Sequence, residues 1–191
     1  MKLGVLALQG AFIEHCNILK TLDVEPVEIR KRDHFSDNLD GLIIPGGEST
    51  TIGKLLGDLE LLSPIKDAVL CGMPVFGTCA GLILLAKKVE GIGAGTIPVL
   101  DVLVRRNGYG RQLGSFSKSA HFEGIGEVPM VFIRAPYILE AHGSAEILAK
   151  VDGRIVAVRQ DSALATAFHP ELTENAEIHK FFIQMIDVRQ K

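Results

Sequence analysis

Leu42-Ile43-Ile44, followed at once by Pro45-Gly46-Gly47, reads as a strand with no polar face. Side chains alternate across a strand, so three successive apolar residues require cover on both sides. That is the situation of a strand inside a parallel sheet with helices packed on either face. The rest of the N-terminal half agrees with it. Leu3–Leu8, Pro26–Arg30, Gly41–Ile44 and Pro74–Gly77 read as strands. Between them, Phe12, Cys16 and Leu19 stand at helical spacing, as do Ile52, Leu55, Leu56 and Leu59, and a further helix is predicted over Pro64–Leu70. Alternation of this kind implies right-handed crossovers and a doubly wound α/β sheet.

The second half changes texture. Val99–Val104, Val131–Ile133, Glu146–Lys150, Arg154–Val158 and Ala163–Phe168 read as strands joined by short turns, with Asp152-Gly153 as a hairpin signal. Antiparallel strands added to the parallel core predict a mixed, mostly parallel central sheet with helices on both faces. A last helix carries Ile178, Phe181, Phe182, Met185 and Ile186 on one face, which is a core-packing stripe. Residues 1–191 are expected to form one domain, large enough to bury a core without disulfides or a structural metal.

Several function classes drop out. Net charge is −3, and no cluster of Lys and Arg suggests nucleic acid. No stretch reaches the roughly 20 apolar residues of a membrane span. The apolar run in the opening MKLGVLALQG is too short for a signal peptide. The three cysteines, Cys16, Cys71 and Cys79, match no zinc spacing. The expectation is a cytosolic protein with reduced thiols, one of which is available as a nucleophile.

Cys79 is that thiol. In Pro74-Val75-Phe76-Gly77-Thr78-Cys79-Ala80-Gly81-Leu82-Ile83 an apolar strand runs into Gly-x-Cys-x-Gly and then into a helical segment. This is the thiol form of a nucleophile elbow, whose tight turn lifts the reactive atom clear of the sheet and leaves no space for flanking Cβ atoms. The helix N-terminus behind it stabilises a thiolate. The plainer alternative is a buried structural cysteine between packing glycines, and that is how Cys16 and Cys71, which lack this context, are read: as core or near-surface residues.

A cysteine nucleophile needs a proton acceptor and donor, usually histidine. Of His15, His34, His121, His142, His169 and His179, only His169 follows an apolar strand, Leu164–Phe168, and leads into Pro170-Glu171. Pro170 biases His169 toward extended backbone, where residues two apart point the same way. His169 and Glu171 can then lie side by side, the carboxylate fixing the imidazole. For the oxyanion, the N–H groups of Gly47 and Ala80 are the expected donors. A phosphate loop is rejected here: Gly47 and Gly53 are one residue too far apart, and Leu55 stands where Ser or Thr is needed. Ser49 or Thr50 is expected to cap the following helix. Gly91-Ile92-Gly93-Ala94-Gly95 follows a helix rather than a strand and is read as a loop.

Gly77-Thr78-Cys79-Ala80-Gly81 and His169-Pro170-Glu171 together resemble the class I, triad-type glutamine amidotransferases. Leu8-Gln9-Gly10, Pro45-Gly46-Gly47-Glu48-Ser49-Thr50-Thr51, Arg106-Asn107, Phe132-Ile133-Arg134-Ala135-Pro136 and Phe168-His169-Pro170-Glu171-Leu172-Thr173 narrow the likeness to the glutaminase subunits of pyridoxal 5′-phosphate synthase, over essentially the whole chain. The resemblance implies a flavodoxin-like fold and a Cys79, His169, Glu171 triad. It implies glutamine contacts at Gly46, Gly47, Glu48, Arg106, Ile133 and Arg134. From the residues alone, Arg105 and Arg111 were equal candidates to Arg106 and Arg134. It further implies hydrolysis of L-glutamine to glutamate and ammonia, with the ammonia channelled to a (β/α)8-barrel synthase subunit. Pyridoxal phosphate is then a product held by that partner, and this chain carries no cofactor. Activity would be weak until the partner docks and orders the Gly46-Gly47 loop. Two other readings stand beside this one. The chain could serve another pathway or act as a stand-alone cysteine hydrolase, or it could be a non-catalytic subunit on the same fold.

Overall fold

A computed structural model describes residues 1–93, 95–108 and 114–189, so Ala94 of the glycine loop and Arg111 lie outside the described residues. In chain order the elements are β1 (Lys2–Leu6), α1 (Phe12–Thr21), β2 (Glu25–Ile29), β3 (Gly41–Ile44), α2 (Ser49–Asp58), α3 (Leu62–Leu70), β4 (Val75–Thr78) and α4 (Ala80–Leu85). They continue with β5 (Ala86–Val89), β6 (Leu100–Arg105), β7 (Ser115–Phe122), β8 (Gly126–Ile133), β9 (Tyr137–Ala141), β10 (Glu146–Val151), β11 (Arg154–Gln160), β12 (Ala163–Thr166) and α5 (Glu177–Arg189). Among the described residues no helix is long and apolar enough to cross a membrane.

The strands form one sheet, with β2-β1-β3-β4-β12 parallel through its centre. Beyond β12 the order β11-β10-β7-β8 is antiparallel, while β5, β6 and β9 branch from β11. This is the doubly wound, mixed sheet read from the pattern. Every residue of β3, β4 and β12 is buried. Because side chains alternate, that burial requires cover on both faces. On one face Phe76 meets Phe182 of α5, with ring centroids 5.6 Å apart, and the His15 ring of α1 edge-on at 6.1 Å. The α5 stripe buries Ile178, Phe182 and Ile186 fully, with Phe181 and Met185 packed at its margin.

The hairpin signal holds as well: β10 and β11 pair antiparallel around Asp152 and Gly153, both with positive φ (49° and 75°), as a primed turn requires. Pattern reading did not find β5, β7 or β9. Within Ser115–Phe122 only Phe122 is buried, so β7 is largely solvent-facing and carries little apolar alternation to detect. It is held by its register with the more apolar β8, Ser115↔Ile133 through Phe122↔Gly126.

At the seam between α1 and α5 sit two fully buried histidines, with His15 Nδ1 2.9 Å from His179 Nε2. Burial pushes the His179 imidazole down to about 4. Burial, then the neighbouring His179 and His169, push His15 well below the ordinary range. A histidine depressed on folding contributes stability that is present above its unfolded value and lost as pH falls through the folded one. Folding stability is therefore expected to drop between about pH 6.5 and pH 4, by roughly 3 kcal/mol from His179 alone. Urea midpoints across that range are expected to fall less steeply in His179→Gln; equal slopes would contradict the assignment.

Candidate active site

The parallel pairing of β4 with β12 brings the key side chains together. Thr78 is in register with Thr166, and the Cys79 N–H donates to Thr166 O at 2.8 Å. The chain leaving β4 turns at Cys79, and the chain leaving β12 reaches His169, whose N–H donates to Val131 O at 2.8 Å. Two neighbouring strand ends thus bring the Cys79 thiol and the His169 imidazole together at the carboxyl end of the sheet, where open α/β sheets gather their sites.

Cys79 has φ 48° and ψ −93°, a backbone region that costs a non-glycine residue of order 1–3 kcal/mol. The flanking glycines make the bend possible. A Cβ on Gly77 would lie 2.6 Å from Gly81 C, and one on Gly81 would lie 2.3 Å from Ile44 O. The elbow expected from Gly-x-Cys-x-Gly is therefore present, although the helix behind it spans only Ala80–Leu85. Cys16 is buried and Cys71 exposed, each as read from its surroundings.

His169 Nδ1 lies 2.7 Å from Glu171 Oε1, with both side chains buried. Burial alone lowers the imidazole pKa. Hydrogen bonding to Cys79 and Glu171, with the electrostatic attraction of both, outweighs that and raises it to about 10. The proton on Nδ1 faces the carboxylate, which leaves Nε2 for the sulfur. Gly46 sits against both groups. A Cβ there would fall 2.2 Å from His169 Cε1 and 3.3 Å from Cys79 Cβ, so only glycine fits.

The Gly46-Gly47-Glu48 segment is pinned on both sides. Gly46 N–H donates to Thr78 Oγ1 at 2.9 Å, and Ala11 N–H donates to Gly46 O at 3.1 Å. Glu48 N–H donates to Gln9 Oε1 at 2.7 Å. Between these anchors, Gly47 N–H takes no partner among the described residues, and neither does Ala80 N–H at the start of α4. These are the two donors expected for an oxyanion.

Around Cys79 and His169 opens a cleft of about 330 Å³ lined by Gln9, Gly47, Glu48, Arg106, Ile133 and Arg134, with Ser49, Ile83, Asn107 and Pro136 completing its wall. Of the residues predicted to contact a substrate, only Gly46 stays off this wall, packed against Cys79 and His169. Ser49 and Ile83 carried no signal, since each is an ordinary residue on a helix whose location depends on the fold. Three of the lining residues, Cys79, Asn107 and Arg134, have positive φ without being glycine. Strain of that kind persists only where surrounding contacts enforce it. Here Gly108 N–H donates to Ala135 O at 2.9 Å and Arg134 N–H to Gly114 O at 2.6 Å, tying the two arginine-bearing loops together.

One expectation is corrected. The cap of α2 is Glu48, not Ser49 or Thr50. Its carboxylate accepts from Thr50 N–H at 3.1 Å and Thr51 N–H at 2.7 Å. Glu48 is the last extended residue before the helix, and two carboxylate oxygens reach two orphan N–H groups at the positive helix end, which one hydroxyl cannot do. The Thr51 hydroxyl, with the two N–H groups, holds this carboxyl down at about 2. Arg106 Nη2 reaches the same carboxylate at 3.3 Å, so Glu48 also steers Arg106 over the cleft. Among the described residues no group of three or more His, Cys, Asp and Glu side chains is arranged to hold a metal ion.

Gly46→Ala is expected to slow iodoacetamide alkylation of Cys79 at neutral pH by roughly tenfold or more, because the methyl displaces the imidazolium that promotes the sulfur. Site-resolved mass spectrometry reads Cys79 apart from exposed Cys71; an unchanged rate would contradict the geometry.

Known proteins resemble this chain in sequence and in fold. The profile of the SNO glutamine amidotransferase family matches residues 5–188. The chain is 54% identical over 188 residues to pyridoxal 5′-phosphate synthase subunit PdxT of Streptococcus pneumoniae, covering 97% of each. It is 53% identical to the PdxT subunit of Carboxydothermus hydrogenoformans, covering 97% of this chain and 98% of that one. A crystal structure of a glutamine amidotransferase superposes with TM-score 0.91 at 44% identity, covering 97% of this chain and 98% of that one. PurLQS from Thermotoga maritima shares the fold alone, with TM-score 0.71 at 15% identity, covering 100% of this chain and 98% of that one. The chain belongs to the SNO glutamine amidotransferase family.

Proposed function

We propose that this chain is the glutaminase subunit of a cytosolic pyridoxal 5′-phosphate synthase, hydrolysing L-glutamine to glutamate and ammonia through Cys79, His169 and Glu171. The observation that carries the chemistry is a cysteine on a positive-φ elbow beside a buried His169–Glu171 pair. The synthase pathway is supported by the names of relatives more than 50% identical over nearly the whole chain.

In this reading glutamine enters the cleft with its α-carboxylate toward Arg106 and Arg134, since guanidinium forks match carboxylates. Gly46, Gly47, Glu48 and Ile133 shape the path of its side chain. The Cys79 sulfur attacks the carboxamide carbon, and the tetrahedral oxyanion takes the N–H groups of Gly47 and Ala80, each worth very roughly 3 kcal/mol. His169, protonated at neutral pH, gives its proton to the leaving nitrogen, and ammonia departs. The neutral imidazole then deprotonates a water that cleaves the γ-glutamyl thioester, releasing glutamate and restoring the sulfur anion and imidazolium with which the cycle began.

Ammonia passes to a (β/α)8-barrel synthase subunit in a hetero-oligomeric complex, where pyridoxal phosphate is made as product. Docking of that subunit activates the glutaminase by setting the Gly46-Gly47 peptide, whose anchors to Thr78, Ala11 and Gln9 make it a defined element to switch.

Glutamate release is expected to depend on the synthase subunit and to fall by about 10⁴-fold in Cys79→Ala. Full activity of the isolated chain would instead favour a stand-alone hydrolase, and release by Cys79→Ala at the wild-type rate would end the cysteine mechanism. Because Glu171 helps hold the His169 proton on, the alkaline limb of kcat/KM is expected to follow imidazolium loss. In Glu171→Gln that limb should move to lower pH by about one unit or more. A limb that stays in place would show that another group titrates there.

A further inference from the structure

Glu171 is 4% exposed, and His169 uses only its Oε1. The second oxygen, Oε2, has no hydrogen-bond partner, yet His15 Nε2 lies 3.5 Å from it. The same His15 nitrogen is 3.3 Å from Thr78 Oγ1, which already accepts from Gly46 N–H. On its other side His15 Nδ1 is 2.9 Å from His179 Nε2, and His179 Nδ1 has no partner. All of these side chains are buried. A continuous polar chain therefore runs from Cys79 through His169, Glu171 and His15 to His179 on α5.

Only one arrangement of protons suits this chain. With the proton of His15 on Nδ1, His179 must carry its own on Nδ1, buried with no acceptor. The lone pair of His15 Nε2 then faces an anionic oxygen that has no donor. With the proton on Nε2, His15 points an N–H between Glu171 Oε2 and Thr78 Oγ1, and His179 Nε2–H donates to His15 Nδ1. Left without a partner are then the Thr78 hydroxyl proton and one lone pair on His179. An orphan buried N–H and an orphan carboxylate oxygen each cost more than an empty lone pair. The first arrangement does let the Thr78 hydroxyl donate to His15 Nε2, but a neutral bond of that kind is weaker than an N–H directed at a carboxylate.

We infer that His15 is a positioning residue of the catalytic relay, a neutral Nε2–H imidazole that fixes the Glu171 carboxylate from behind and is itself aligned by His179. At 3.5 Å and shared with Thr78, its N–H acts as an oriented dipole on Oε2 rather than as a full hydrogen bond. It holds the carboxylate plane so that Oε1 stays on His169 Nδ1. Burial keeps both His15 and His179 uncharged at neutral pH, so the positive charge of the cluster stays on His169. Because Thr78 ties the same nitrogen to Gly46 N–H, the chain also links the carboxylate to the loop bearing the proposed oxyanion donor.

This inference rests on the triad reading for its kinetic part and is independent of it for its structural part. In histidine-labelled wild type, long-range ¹H–¹⁵N NMR is expected to show His15 neutral with its proton on Nε2. A proton on Nδ1 would overturn the inference whatever the enzyme does. In the complex with the synthase subunit, His15→Phe is expected to lower kcat for glutamine by about 10–100-fold with KM changed less than about threefold, in line with groups that orient a ligand from behind. His15→Gln, which offers an amide N–H near the same place, should recover most of the loss. Unchanged kcat in His15→Phe would overturn the role, as would a loss that His15→Gln does not recover or a parallel rise in KM. Should His15→Phe fail to fold, the NMR result and His15→Gln decide. Absence of glutamine hydrolysis in the wild-type complex would instead sink the glutaminase reading and leave the proton assignment standing.

Discussion

The pairing of β4 with β12 is the constraint on which the site depends. These strands are far apart in sequence, yet Val75 to Thr78 run in parallel register with Ala163 to Thr166. That register sets where Cys79 and His169 emerge and therefore whether sulfur and imidazole can meet. A slip by one residue would turn every side chain of a strand to the other face. Full burial of both strands makes such a slip costly, so core packing holds Cys79 and His169 in place. The backbone strain at Cys79 is carried by the same packing, because Gly77, Gly81 and Ile44 approach too closely to admit any other bend.

Electrostatics in the site follow from burial and its compensation. Glu171 is a carboxylate with almost no solvent access, and an isolated charge there would be expensive. His169 supplies the counter-charge on one oxygen, and His15 presents a dipole toward the other. Desolvation acts on all three buried histidines in the same direction, and it is reversed only at His169, which hydrogen-bonds to Cys79 and Glu171. One residue type thus divides into a cation beside the sulfur and two neutral hydrogen-bonding groups behind it. At the mouth, Glu48 is stabilised as an anion by the N-terminus of α2 and in turn holds Arg106.

Much of this was legible in the chain itself. Leu42-Ile43-Ile44 required a doubly covered strand, Gly-Thr-Cys-Ala-Gly required a sharp turn, and Asp152-Gly153 required a hairpin, because each depends on short-range sterics or a local apolar period. His169 and Glu171 were readable as a pair from their spacing, but not in the geometry expected: Pro170–Leu172 forms a 3₁₀ turn, and that turn rather than extended alternation lays the carboxylate on the imidazole. The strands β5, β7 and β9 were not readable, since pairing partners define them more than composition does. The cap of α2 was misassigned because capping preference favours Ser and Thr, whereas the point at which the chain leaves extended geometry made Glu48 the cap.

Local spacing alone therefore determined which residues were the candidates for reactive chemistry and the class of sheet that presents them. Tertiary structure decided which distant residues share a charge, a proton or a wall. His15 and His179 are 164 positions apart and lack any motif, yet they meet at 2.9 Å behind Glu171. Spacing did not separate Arg106 and Arg134 from the other arginines; the family resemblance did, and the physical reason is that two strained loops place both on the same cleft. The physical reason is that backbone sterics and hydrophobic period act over a few residues. Hydrogen bonding and desolvation act over a few ångströms, whatever the separation in sequence.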